Sequence, residues 1–262
     1  ILAKAGVTSV PQTWAQLTAA MKQIKAKVPG VYPYAVPLGP EEAQAEFAIW
    51  TGGNGGKYYD DATKQWVINS SANVVTSLYL KSMTANGYTE PNPDKCDRTA
   101  CAQALFAAGK AAFIDGSVFF PSWLSKNGGS AIKYGVGAFP HNTGHTAITL
   151  GVQDYFMAFK KTGNKDAVTK WLNFLYEPAN YAAFLKAAGG FIPATKSAST
   201  AVDSSLLPFI NALPNAIFYP GDLAAWPKVA GAIQTKIGTA ITGDTKKELD
   251  AIQKTAEEAG TK

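Results

Sequence analysis

Trp14, Leu17, Met21, Ile24 and Val28 recur at the three- and four-residue intervals that align side chains on one face of a helix. Thr13 and Gln16 have the spacing of a capping box at its start, and Pro29 and Gly30 close it. The apolar run Tyr34 to Leu38 predicts a buried strand, and the acidic stretch that follows, GPEEAQAE at Gly39 to Glu46, predicts a helix start. Carboxylates are favourable there, near the positive end of a helix dipole. Trp66 to Ile68 predicts a short strand, with Asn69 and Ser70 capping a helix that reaches about Asn86 and stops at Gly87. A helix through Leu105 and Phe106 stops at Gly109 and leads into a strand at Ala111 to Ile114. Further strands are predicted at Tyr134 to Phe139 and Tyr155 to Phe159. Helices follow at Lys165 to Tyr176, Tyr181 to Ala188, Ser205 to Leu213, Pro227 to Ile241 and Lys246 to Ala259. Strands alternating with helices, then a helical tail, predict an α/β fold.

Composition narrows this pattern to a globular chain. Hydrophobic residues make up 47% and charged residues 16% of 262 positions, too apolar for disorder and too often interrupted by Gly, Pro and Lys to span a bilayer. Length alone allows one large or two small domains. The net charge of +5 comes from scattered lysines with very little arginine, which argues against nucleic acid as a partner. The chain opens at Ile1 with no signal peptide or lipid-attachment sequence, as if something had been removed upstream. Cys96 and Cys101 are the only cysteines. Their spacing suits a small disulfide-closed loop and so an oxidising compartment, whereas a zinc site needs more ligands than these two supply.

Catalytic constellations are hard to assemble. His141 and His145 stand four apart without a third metal ligand, no cofactor fingerprint follows any strand, and TGGNGG at Thr51 to Gly56 lacks the lysine and spacing of a phosphate loop. The chain is therefore expected to carry neither metal nor cofactor. Glu41 and Glu42 are adjacent on a helix start. They do not by themselves face each other across a bond as a glycosidase pair must, although Asp115 or Asp154 could supply the second carboxyl.

In open α/β sheets ligands collect at the carboxyl ends of strands, here just after Leu38, Ile114 and Phe139. Near those ends stand carboxylates and amides at Glu41, Glu42, Gln44, Gln153 and Asp154, and rings at Phe119, Phe120, Tyr155 and Trp226. These are the materials of a sugar site: acceptors for hydroxyls, and aromatic faces for the apolar side of a pyranose. Each ring has a competing reading as core. One of Phe119 and Phe120 should point inward and the other outward, and Trp226, just before Pro227 at a helix start, need not be buried.

Four ordered segments carry a family resemblance: VPQTWAQL at Val10 to Leu17, ALFAAGKAAFIDGS at Ala104 to Ser117, YGVGAFP at Tyr134 to Pro140 and GGFIPATKSA at Gly189 to Ala198. Together they resemble the extracytoplasmic solute-binding proteins of ABC sugar importers, the family that includes the maltose-binding protein. The resemblance implies a two-lobed α/β fold of the periplasmic-binding (type II) kind, closing on a neutral mono- or oligosaccharide and presenting it to a membrane permease. It also implies a non-enzymatic, monomeric protein of the periplasm or of the cell surface, where it would be held by a lipid anchor. By position Trp226 falls on the family's stacking tryptophan, Phe119 and Phe120 on its aromatic residues after the aspartate-glycine step, Glu41 to Gln44 on the loop that reaches across the cleft, and Gly151 to Tyr155 on the strand near the hinge. Val118 stands where maltose-binding members carry tryptophan, a departure that argues against maltodextrin specificity. Residues 1–150 map to the first part of the C-terminal lobe, 151–198 to a hinge crossing and helices of the N-terminal lobe, and 199–262 to a return into the C-terminal lobe. Much of the N-terminal lobe is then expected to lie outside the chain. A receptor for a polyol or glycerol phosphate is the alternative, with Lys57 and Lys110 as its only nearby cations. A glycoside hydrolase and a surface interaction module are the remaining readings.

Overall fold

A computed structural model describes residues 1–161, 163–198 and 204–261. The first five residues of the expected return segment, 199–203, therefore lie outside the described residues. After a single-turn helix α1 (Leu2–Ala5), helix α2 (Trp14–Lys27) starts with the expected capping box: Thr13 Oγ1 accepts from the Gln16 amide at 3.2 Å, and Gln16 Oε1 accepts from the Thr13 amide at 3.3 Å. Strand β1 (Tyr32–Ala35) runs parallel to a later strand, Ala111–Ile114, with Tyr34 opposite Phe113 and Ala35 opposite Ile114.

Between those two strands in sequence come helix α3 (Ala43–Gly52), the hairpin β2 (Tyr59–Asp60) and β3 (Gln65–Trp66), and helix α4 (Ser71–Ala85). A π-helical turn, Arg98–Gln103, leads into the short helix α5 (Ala104–Ala107) and so to the Ala111–Ile114 strand, β4. Ser70 stands at the α4 N-cap without a side-chain hydrogen bond, and Asn69 instead donates to Asp250 Oδ1 at 2.8 Å.

The remaining elements are α6 (Phe120–Lys126), β5 (Thr149–Leu150), α7 (Lys165–Tyr176), α8 (Pro178–Ala187), α9 (Leu207–Ala212), β6 (Ala216–Ile217), α10 (Trp226–Thr242) and α11 (Thr245–Ala259). Strands β5 and β6 pair in parallel, Thr149 with Ala216 and Leu150 with Ile217.

Two predicted strands do not form. Tyr134 to Phe139 runs without a ladder partner beside a cavity of about 1000 Å³, which it lines together with β4. Tyr155 to Phe159 makes no ladder: Tyr155 is 75% and Phe159 88% exposed, while Phe156 between them packs against Trp171, Tyr176 and Phe184. In both cases the apolar pattern is present and the neighbour that would satisfy the backbone is not, so no strand is made.

The main core lies on one face of β1, where Trp14, Leu17, Met21, Phe47, Trp50, Val229, Ile233 and Ile237 pack around Tyr34. On the other face Ala35 and Ala111 pack against Cys96 and Ala102. Helix α10 closes the main core so tightly that a Cβ on Gly238 would come within 2.6 Å of the Leu38 carbonyl oxygen and 2.7 Å of Asp94 Cα.

Cys96 and Cys101 form a disulfide. The six-residue ring it closes removes loop entropy from the unfolded chain equivalent to about 2 kcal/mol. Cys96→Ala/Cys101→Ala should lower the thermal midpoint by roughly 5 °C in calorimetry.

Glu90 is buried, with both carboxyl oxygens accepting from the Val36 amide at 3.2 and 3.1 Å. Burial pushes its carboxyl up to about 7, against the opposing pull of backbone hydrogen bonds. Since the folded state holds this proton more tightly than the unfolded chain, stability is greatest below the ordinary glutamate range and falls as pH rises toward 7. Glu90→Gln, which keeps an acceptor for Val36, should gain on the wild type by up to about 3 kcal/mol between pH 4 and pH 8 in urea unfolding.

Candidate ligand-binding site

The charged groups of the fold gather where the start of α3 meets the end of β4. Asp115 follows the last residue of β4 directly, and its side chain is 15% exposed. Opposite it stands Arg98, the first residue of the π-helical turn and the only arginine in the sequence. Its side chain is 16% exposed, with Nη1 3.6 Å from Glu42 Oε2 and Nη2 3.8 Å from Asp115 Oδ2. Both are ion-pair distances beyond hydrogen-bonding reach.

Glu46, one turn into α3, is fully buried, and its Oε1 accepts from Trp50 Nε1 at 2.7 Å. Burial first, then the neighbouring Asp115 charge, raises the Glu46 carboxyl well above the usual carboxylate range, with Arg98 opposing. Its other oxygen, Oε2, is buried without a hydrogen-bond partner. Glu42 and Asp115 are the two carboxylates at ion-pair distance from the single guanidinium.

Aromatic rings complete the wall. Tyr219, just beyond β6, stacks on Trp226, the first residue of α10, with ring centroids 4.9 Å apart and planes at 27°. Trp226 also stacks on Tyr58 at 5.9 Å, and the Tyr58 hydroxyl donates to the Gln44 carbonyl oxygen at 2.7 Å. Burial, and then the Glu42 charge, raises the Tyr219 hydroxyl above its ordinary range, so it stays a neutral donor.

Among the described residues, Gln44 Oε1, Glu46 Oε2, Arg98 Nε, Ser117 Oγ, Thr195 Oγ1 and Tyr219 Oη are buried polar atoms with no hydrogen-bond partner. All but that of Thr195 belong to α3, the π-helical turn, the residues after β4 and the residues after β6, the elements that build this wall. Buried polar groups are normally paired. A concentration of unpaired ones beside a ring stack marks a surface built to hydrogen-bond something else.

The large cavity is a different place. It meets this cluster only at Tyr34 and at Asp115 to Ser117, and elsewhere is lined mainly by apolar side chains such as Ile49, Phe113, Val136 and Ile148. It has few groups to orient a polar ligand.

The structure brings Glu42, Gln44 and Trp226 into the cluster. Glu41 lies at its edge with its carboxylate already engaged, accepting from the Thr99 amide at 2.9 Å and the Thr99 hydroxyl at 2.6 Å. Phe120 is a core ring packed on Trp123 and Phe106, and its exposed neighbour Phe119 lies against Phe191. Gly151 donates to the Ile217 carbonyl at 2.8 Å, and the Phe218 ring lies so close that a Cβ would meet it at 2.3 Å. Gln153, Asp154 and Tyr155 run on from there in an exposed segment, where the Tyr155 hydroxyl donates to Gln153 Oε1.

Arg98, Glu46 and Tyr219 carry no sequence motif. The signal available for Arg98 was its singularity in a lysine-rich chain. His141 and His145 stay apart from the cluster; among the described residues no group of three or more His, Cys, Asp or Glu side chains is placed to hold a metal.

Residues 1–212 match the family model for bacterial extracellular solute-binding proteins. The chain belongs to that family. Its members are binding proteins that work outside the cytoplasm, and no helix among the described residues is long and apolar enough to cross a membrane.

A putative binding protein of Brucella abortus is 28% identical over 261 residues, covering 97% of this chain and 61% of that protein. The chain thus spans about three fifths of this curated relative. Among solved structures, a sugar transporter of Arthrobacter chlorophenolicus with bound laminaribiose superposes with a TM-score of 0.81 at 18% identity, covering all of this chain and 68% of that one. An ABC transporter solute-binding protein of Thermotoga lettingae bound with α-D-tagatose gives 0.78 at 16%, covering 98% and 67%, and the cyclic α-maltosyl-1,6-maltose binding protein of Arthrobacter globiformis gives 0.76 at 17%, with the same coverage. The fold is that of the periplasmic solute-binding proteins.

Glu46→Ala in this solute-binding protein leaves the Trp50 indole N–H buried without an acceptor, which should cost about 1–3 kcal/mol. Glu46→Gln supplies the acceptor and remains neutral, and should lose less than half as much in denaturant unfolding at neutral pH.

Proposed function

We propose that this protein binds a neutral carbohydrate in a cleft between two lobes and delivers it to the permease of an ABC importer. The observation that carries this reading is that Gln44, Arg98 and Tyr219 hold buried polar atoms without partners where the Tyr219–Trp226–Tyr58 ring stack meets the start of α3. Sugar hydroxyls donate and accept at once, so a wall offering both suits them, and a ring face takes the apolar side of a pyranose. The sugars bound by structural relatives, laminaribiose and tagatose among them, support the same class.

The lobe assignment rests on the exposed segment. Val152, Tyr155, Met157 and Phe159 present a strip of large apolar groups that a soluble protein ordinarily covers, and about a third or more of each relative's chain lies outside the match and could do so. In this reading residues 1–150 and 199–262 build one lobe, 151–198 cross to the other, and Gln153, Asp154 and Tyr155 face the ligand from the crossing. Phe119 stands at the rim, and Gly151 leaves room at the hinge. Hinge closure, not bond breaking, is the working step, with hydrogen bonds made on closing. The protein acts as a monomer in the periplasm or lipid-anchored at the cell surface.

Arg98 is the one observation that favours the polyol-phosphate alternative. Glu42 and Asp115 already balance its charge, and Lys57 is engaged with Asp60 at 3.1 Å on the β2–β3 hairpin. Calorimetry of the intact protein against mono- and disaccharides, including laminaribiose, maltose and tagatose, should find millimolar or tighter binding of at least one. Trp226→Ala should weaken it about tenfold or more. No heat with any sugar, together with tight binding of a phosphate ester or a peptide, would overturn the assignment. Release of reducing sugar that is lost in Asp154→Asn would replace it with a hydrolase.

A further inference from the structure

Arg98 is held by the loop around it, and that loop is fastened in two ways. The disulfide joins Cys96 and Cys101 on either side of it, and the buried Cys96 is packed between Ala35 of β1 and Ala111 of β4. The second fastening is a reciprocal clasp with the residues before α3. The Gly39 amide donates to the Cys96 carbonyl at 3.0 Å and the Glu41 amide to Asp97 Oδ1 at 3.2 Å, while the Thr99 amide and hydroxyl return two bonds to the Glu41 carboxylate. The fit leaves no slack, since a Cβ on Gly39 would fall 2.5 Å from Asp97 Oδ1 and 2.9 Å from the Cys96 carbonyl carbon.

What this clasp presents is a planar fork of donors. The Nη atoms stand 3.6 and 3.8 Å from their carboxylates and Nε is without a partner, so the guanidinium is neutralised while its N–H groups are not committed to those oxygens. A sugar hydroxyl accepting from Arg98 can donate in turn to Asp115 or Glu42.

We propose that Arg98 contacts the ligand directly and that the Cys96–Cys101 disulfide is a positioning element for it, setting affinity by holding the guanidinium against Asp115. Contact with a sugar rests on the function proposed above; the positioning of Arg98 does not.

The test is a cycle on the intact protein, using as probe laminaribiose or whichever sugar of the panel gives the largest heat. Cys96→Ala/Cys101→Ala and Arg98→Lys should each weaken binding at least tenfold. Lysine keeps the charge and loses the fork. Removing the disulfide from Arg98→Lys should then weaken binding less than twofold further, whereas a disulfide acting only through stability would weaken both backgrounds alike. Thr99→Val/Asp97→Ala, which removes the Thr99 hydroxyl and Asp97 carboxylate bonds of the clasp with the disulfide intact, should weaken binding several-fold and serves if the cysteine variant fails to fold. Oxidised-like affinity in both the cysteine and the Thr99 variants, or equal losses in the two Arg98 backgrounds, would overturn the proposal.

A readout without ligand separates the two claims. As the only arginine, Arg98 gives a single side-chain Nε–H resonance, which should shift and broaden when the disulfide is removed. An unchanged resonance refutes positioning whether or not a sugar binds. A moved resonance in a protein that binds no sugar refutes only the ligand contact.

Discussion

A guanidinium withdrawn from water needs negative charge at close range on more than one side, and the placement of Arg98 imposes that requirement on this wall of the protein. Glu42 supplies it from the cap of α3, Asp115 from the end of β4, and the π-helical turn and its disulfide keep the cation where the two can reach it. Three elements distant in sequence are thereby fixed to one point. The same crowding acts on the neighbouring anion: burial, and then the Asp115 charge, push the carboxyl of Glu46 well above the usual carboxylate range.

The fold was legible wherever local chemistry is self-sufficient. The Thr13–Gln16 capping box, the stop at Gly109, the strand at Ala111 to Ile114 and the first-turn proline of α10 all depend on near neighbours in sequence, and all formed as expected. Tyr134 to Phe139 and Tyr155 to Phe159 failed for the converse reason. A strand is made by its partner, and apolar alternation cannot say whether a partner is there.

The candidate site divides along the same line. The rule that ligands gather at strand ends pointed at Asp115, and the helix-start reading pointed at Glu42 and Gln44. The two phenylalanines split between core and surface, as adjacent residues leading into a helix should. Arg98, Glu46 and Tyr219 were illegible because each takes its meaning from a distant partner. Arg98 sits in a polar loop that reads as surface, Glu46 in a helix start where a solvated carboxylate is expected, and Tyr219 among small residues that predict only a turn.

The close seating of α10 has a mechanical consequence. Gly238 leaves no space for even a methyl group between the helix and the backbone at Leu38 and Asp94, a few residues before the disulfide. The far end of that helix begins at Trp226. The ring stack and the arginine fork are thus mounted on one stiff jaw, unable to shift against each other without unseating the helix. In the proposed cleft, adaptation to ligands of different size would then fall to the facing wall and not to this one.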